Sequence, residues 1–513
     1  MEADAAPDRL RVAWLDAAKA WGMYLVFYGH FVERVAQSDN HAAFLQQKLV
    51  YAFHVPLFVL LSGLVAKKAT EQPGLVTFLK RKVASRLVPV VFFSVLMAPF
   101  VPLESLLEDY LPTGSGLVRS GWIGPEWGRR LVPPADGEQA PARRTLWQSL
   151  SPAAQDSLRL GAAGQEFSPA ACETIADAVN QSLARPDLFS VDDFPADELS
   201  DRNRAWLESD RSGLDVRRLR SRNAGFMWVA LFPEWAGDDG DWYGDLKYGL
   251  VMTFFRGFPE LAVPTWFLVC LFVLEVYHFA VSRLLTSRRR IAVAVVAFFA
   301  VGWLANMSVS EPWTDVWFLR ENLFLYAFYL MGFLLRDLGI LERHASRWWG
   351  ALALLAGGAV LWLTYDLNSG SRFFAPVVLV NLSQHGDLLY FTVTALAGCL
   401  ATVGLAQLSA AWGPVVWIGR HSLIFMGLNS FFFAFANHNL VNALGLGAGS
   451  LEVLVACTAV TVASLALSAV VAGPLDRYLP QLVGRPQASG PLLPPLGRPR
   501  PGAPRVASRS PAT

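Results

Sequence analysis

Residues 14–33 read WLDAAKAWGMYLVFYGHFVE. The stretch is apolar apart from a few polar residues whose spacing matches a helix. At about 100° per residue, Lys19 and His30, eleven positions apart, fall within roughly 20° of one face. Asp16 and Glu33 lie within about 60° of that line, one on either side. Helical rise separates Lys19 from His30 by about 16 Å. If the helix crosses a bilayer, the lysine lies near one interface and the histidine well inside, towards the other.

The rest of the chain agrees with a bilayer. Of 513 residues, 53% are hydrophobic and only 17% charged, against about 25% charged in soluble domains. Mean hydropathy is +0.35. Stretches of roughly 17–25 apolar residues, the length a bilayer core requires, occur at 13–36, 44–66, 86–103, 264–284, 290–307, 320–338, 348–366, 386–408, 414–437 and 451–473. The expected fold is an all-α polytopic membrane protein of about ten transmembrane helices. His54-Val55-Pro56 predicts a kink in the second span. No cleavable signal precedes the first.

Lysine and arginine fall in alternate connections. They cluster at Arg9 and Arg11, at Lys67–Arg86, at Arg283–Arg290, at Arg336–Arg347 and in the tail. The positive-inside rule therefore gives both termini to the cytoplasm of a multi-pass plasma (inner) membrane protein. Four regions follow: helices 1–3 within 1–103, an extracytoplasmic and mostly helical insert at 104–247, helices 4–10 within 248–478, and a disordered cytoplasmic tail at 479–513, rich in Pro, Gly, Ser and Arg. Tyr248–Phe258 is apolar but too short to span. A net charge of +1 gives no sign of nucleic-acid binding. The four cysteines have no metal-ligand spacing, and no metal is expected.

Ionisable groups inside a membrane are functional candidates. His30 is read as a general base, since imidazole titrates near neutral pH; the plainer reading is a hydrogen bond to a neighbouring helix. His54 lies at a similar depth on the returning helix. It either shares a cavity with His30 or satisfies backbone freed by Pro56. The run from Lys67 to Arg86, including Lys80, Arg81 and Lys82, is explained by topology alone or by phosphate binding. Composition does not separate the two. Glu275 and His278 share a helix face as cavity residues or as a structural pair. His385 and Asp387 are assigned to the interface.

The text WLDAAKAWGMYLVFYGH, the following FHVPLFVLLSG (53–63), KRKVASRLVP (80–89), Trp266-Phe267-Leu268 and Gly419-Arg420-His421-Ser422-Leu423 together resemble the membrane acyltransferase-3 family, in its fucose O-acetylase-like branch of sugar O-acyltransferases. Two positions depart from the family pattern. Val83 stands where many members carry a first arginine, and Asn429 where many carry a histidine. The large insert is a third departure. The resemblance implies an O-acyltransferase that moves an acyl group, usually acetyl, from cytoplasmic acyl-coenzyme A to a hydroxyl of an extracytoplasmic glycan. It implies His30 and Asp16 as catalytic residues. Lys19, Lys80, Arg81, Lys82 and Arg86 would bind the donor, and His54, Trp266 and Glu275 the acceptor. Acyl-coenzyme A would be a donor substrate rather than a resident cofactor. Two other classes of function compete with this one. One is a proton-coupled transporter or flippase using His30, Glu275 and His54. The other is a non-catalytic scaffold whose insert binds a partner.

Overall fold

The computed structural model describes residues 13–36, 40–100, 249–250, 252–307, 315–339, 346–368, 370, 377–447 and 449–496. Contacts divide the chain into a unit of 1–36, 40–98 and 249–513 and a second of 37–39 and 99–248. Nearly all described residues belong to the first. The expected insert at 104–247 lies outside the described residues.

The first unit is helical. No strand occurs among the described residues; one isolated bridge joins Leu379 and Gln384. Its helices are α1 (Ala13–Ala36), α2 (His41–Tyr51), α3 (His54–Leu64), α4 (Leu75–Lys82), α5 (Val88–Met97), α6 (Trp266–Val281), α7 (Arg288–Met307), α8 (Leu319–Leu338), α9 (Arg347–Thr364), α10 (Leu388–Ser409), α11 (Gly413–Arg420), α12 (Ser422–Phe431), α13 (Asn437–Leu444) and α14 (Ser450–Tyr478). Among the described residues, six helical segments are long and apolar enough to cross a membrane: His41–Leu64, Met252–Val281, Val316–Leu338, Arg347–Leu367, Leu388–Ser409 and Ser450–Tyr478. The described residues of the other four expected spans are helical for the most part, but interrupted or charged. α1 carries Asp16, Lys19, Glu33 and Arg34, α7 begins with three arginines, and the third and ninth spans are divided.

The second span breaks where the proline requires it. α2 ends at Tyr51 and α3 starts at His54, because Pro56 has no N–H to give the Ala52 carbonyl. α8 is the central helix: Phe324, Leu325, Tyr326, Ala327, Phe328 and Leu330 are all fully buried, as expected of a helix apolar on every side. α3 lies against it backbone to backbone. A Cβ on Gly63 would strike the Tyr329 carbonyl oxygen, and one on Gly332 the Leu60 carbonyl oxygen. Such small residues let membrane helices approach closely.

Two apolar clusters mark opposite ends of α1. Ala17 and Ala18 pack with Leu57, Leu60, Leu61 and Leu64 of α3 and Ala406 of α10. Tyr28, Phe31, Val32 and Val35 pack with α2, Val441 and Val453. Cations of two connections meet at one carboxylate. Lys68, after the second span, and Arg288, after the fourth, both bind Asp337 at the end of α8, at 2.7 and 3.1 Å.

Disorder, expected from residue 479, does not describe residues 479–496. They form turns around Gln481, which is fully buried and whose Nε2 donates to the carbonyls of Ala488 and Leu493 at 2.9 and 2.6 Å. Gly484, at φ +92°, closes against Leu423, and Arg485 binds Asp476 at 2.7 Å. Composition does not reveal one buried amide organising a proline-rich segment.

Candidate active site

The polar line of α1 is continuous, because residues 13–36 form one helix. At its first end Asp16 is buried, 2% exposed. Its carboxylate lies 3.5 Å from Lys19 Nζ and 3.4 Å from Arg420 Nε. Arg420 reaches it because α11 lies directly on α1, where a Cβ on Gly419 would strike the Asp16 carbonyl oxygen. Midway, Trp21 Nε1 donates to Ser409 Oγ at 2.8 Å.

At the other end His30 meets α12. Its Nδ1 lies 2.5 Å from Asn429 Oδ1, and its ring stands edge-on to Phe433, centroids 4.9 Å apart. Asn429 and Phe433 are four positions apart, so they share a helix face. Phe432–Ala436 is a π-helical turn, a form that recurs at functional sites. One turn beyond His30, the Arg34 guanidinium lies over the Phe433 ring at 5.2 Å. Glu33 accepts from Tyr51 Oη at 2.8 Å. The Asn429 side chain is fully buried, and its Nδ2 has no hydrogen-bond partner among the described residues.

His54 is also buried. Its Nδ1 donates to the Val50 carbonyl at 3.0 Å, two residues before the Ala52 carbonyl that Pro56 leaves without its helical donor. The ring lies 5.0 Å from that of Tyr51.

The basic run divides. Lys80 and Arg81 are exposed on α4. Lys82 and Arg86 turn inward through a π-helical turn at Val83–Leu87 and grip Glu275. Lys82 Nζ and Arg86 Nη2 lie 2.7 and 2.9 Å from Oε1, and Arg86 Nε is 3.2 Å from Oε2. Val83, at the position of the departed arginine, is 41% exposed; Lys82 beside it supplies the second cation. Burial lowers the pKa of Lys82, and the Glu275 carboxylate opposes that shift. Glu275 is thus a structural partner of two cations, with both oxygens engaged. Of the two readings of Glu275, cavity residue and structural pair, the ion pair is the one seen in the structure. His278, on the same face, bonds the Lys67 carbonyl at 2.9 Å and Tyr326 Oη at 3.1 Å.

Trp266 is 9% exposed and packs against Phe318, centroids 5.3 Å apart. It presents little surface to a sugar. His385 is buried, and its Nε2 lies 2.9 Å from Oε1 of Glu321, itself fully buried. Asp387 caps α10 by accepting from the Tyr390 N–H.

The acyltransferase domain of the acyltransferase-3 family matches residues 12–127 and 223–473. The chain belongs to the membrane acyltransferase-3 family. The matched segments carry Asp16, Lys19, His30, Lys82, Arg86, Glu275, Arg420 and Asn429, and the unmatched 128–222 falls within the segment read as an insert. No curated protein and no solved structure matches the chain. The protein is therefore a membrane acyltransferase. Arg420 and Asn429 were the partners that periodicity along one helix could not reach. The late Gly-Arg-His-Ser-Leu text and the substituted histidine position were the signals for them.

Proposed function

We propose that this acyltransferase moves an acyl group, acetyl in the first instance, from cytoplasmic acyl-coenzyme A to a hydroxyl of an extracytoplasmic carbohydrate. The observation that carries the reading is α1 itself. One unbroken helix holds a cationic cluster at one end and a histidine, its Nδ1 engaged, about 16 Å away by helical rise. We take ten helices to cross the membrane, with the Lys19 end in the cytoplasm.

The donor carries phosphates at one end and a thioester at the other. Lys19 with Arg420, and Lys82 with Arg86, are each two cations set against one carboxylate. Each cluster keeps a net positive charge for phosphoryl oxygens. Exposed Lys80 and Arg81 add to that field. The pantetheine arm then spans the distance to His30. There the imidazole Nε2 takes the proton of the acceptor hydroxyl as its oxygen attacks the thioester carbonyl. Collapse of the tetrahedral intermediate breaks the carbon–sulfur bond. The departing thiolate takes the proton from Nε2, leaving an ester and a thiol.

The test is transfer of label from acetyl-coenzyme A, radiolabelled in the acetyl group, to cell-envelope glycan by the purified protein. The expected result is label in the glycan, released by mild base as acetate. Substrate movement driven by a proton gradient, with no label transferred, would favour a transporter and overturn the proposal.

A further inference from the structure

We infer that Asn429 is the positioning residue of the proposed base, fixing the tautomer of His30 by accepting its Nδ1 proton in a hydrogen bond. The inference rests on the acyl-transfer reading for its purpose, though not for its test.

Beside an imidazole, an amide side chain presents an acceptor oxygen and a donor NH₂ group. A carbonyl oxygen only accepts, so with Oδ1 facing Nδ1 at 2.5 Å the bond places the hydrogen on Nδ1. In a neutral ring the lone pair then belongs to Nε2. The bond made by one ring nitrogen sets the state of the other. His30 is held in the form whose bare Nε2 accepts a proton. The alternative tautomer would put N–H on Nε2, where a base needs a lone pair, and would set two lone pairs against each other at 2.5 Å.

The surroundings keep the pair in register. Asn429 is fully buried, so water does not compete for its oxygen. Phe433, one turn further along, meets the imidazole edge-on and bars the ring from swinging that way. Arg34 covers Phe433 and donates to its carbonyl at 3.4 Å. Thus His30 and Arg34 on α1 engage Asn429 and Phe433, each pair four residues apart. A histidine at 429 would bring a second titratable ring and two possible tautomers. Asparagine offers a fixed acceptor with no proton of its own to lose near neutral pH.

Nitrogen NMR of the full-length protein in detergent, labelled at the histidine ring nitrogens, tests this without any substrate. The His30 signals are assigned by their loss in His30→Gln. Wild type is expected to show a protonated, pyrrole-type Nδ1 and a bare, pyridine-type Nε2. In Asn429→Leu the two signals are expected to move towards each other as the tautomers mix, or to exchange character. Asn429→Asp restores an acceptor at the same place and is expected to keep Nδ1 protonated. A bare Nδ1 in wild type overturns the inference, as does a folded Asn429→Leu protein with wild-type signals. Absence of acetyl transfer by the wild type would count against the acyl-transfer reading alone, because the tautomer is read directly.

Discussion

Replacing His30 with alanine is expected to lower acetyl transfer by about 10²–10⁴-fold, the usual contribution of a general base. The loss should appear in kcat, with little change in KM for acetyl-coenzyme A, because the cations proposed for the donor lie at the other end of α1. Folding should survive. α1 is anchored independently of His30, by Trp21 to Ser409, by Asp16 to Arg420 and by the two apolar clusters at its ends. The variant does leave the Asn429 amide oxygen unpaired in a buried site, at a cost of about 1–3 kcal/mol. His30→Gln, which can donate to that oxygen but is not a base, removes this complication and should be equally inactive. Initial rates of labelled transfer, with size-exclusion profiles to confirm folding, make the comparison. Full activity in either variant contradicts the assignment of His30.

The second large effect is expected at Glu275. Replacing it with leucine leaves Lys82 and Arg86 facing each other with no intervening carboxylate. Removing one partner of a fully buried ion pair costs about 3–5 kcal/mol, whereas an exposed pair is worth about 0–1 kcal/mol. Glu275 is 8% exposed, but Lys82 and Arg86 are 28% and 24% exposed and keep some water. About 2–3 kcal/mol is therefore the expected loss, lying between those limits. It reads out as a lowered midpoint of thermal unfolding in detergent. Lys82→Leu added to Glu275→Leu should recover part of the loss by removing one of the two repelling charges. A Glu275→Leu protein as stable as wild type would show that the cluster does not hold α6 to the segment leading into α5.

Much of this molecule was legible in one dimension because helical periodicity is local. The line through Asp16, Lys19 and His30 and the break before Pro56 both follow from spacing within single helices. What spacing could not supply was the partner across the bundle. His30 and Asn429 are separated by 399 positions and Arg86 and Glu275 by 189. Which distant polar residue faces which is decided by helix packing. Glu275 illustrates the consequence. Read alone, a membrane glutamate looks like a cavity residue; beside Lys82 and Arg86 it is their counter-charge. His385, near a helix start, likewise finds its partner, Glu321, 64 positions away. The span count depends on a different local property. Length and apolarity mark six segments, whereas α1 falls short because it carries the charged groups assigned to the reaction.

The central claim is that donor and acceptor meet from opposite sides of one membrane along α1. Proteoliposomes containing the protein in a single orientation test it directly. Labelled acetyl-coenzyme A is supplied only on the side of the Lys19 and Arg420 cluster, and an impermeant glycan acceptor only on the other. The account predicts labelled glycan on the far side, no coenzyme A beside it, and loss of the signal in His30→Gln. Transfer that occurs only when donor and glycan share a compartment would contradict it.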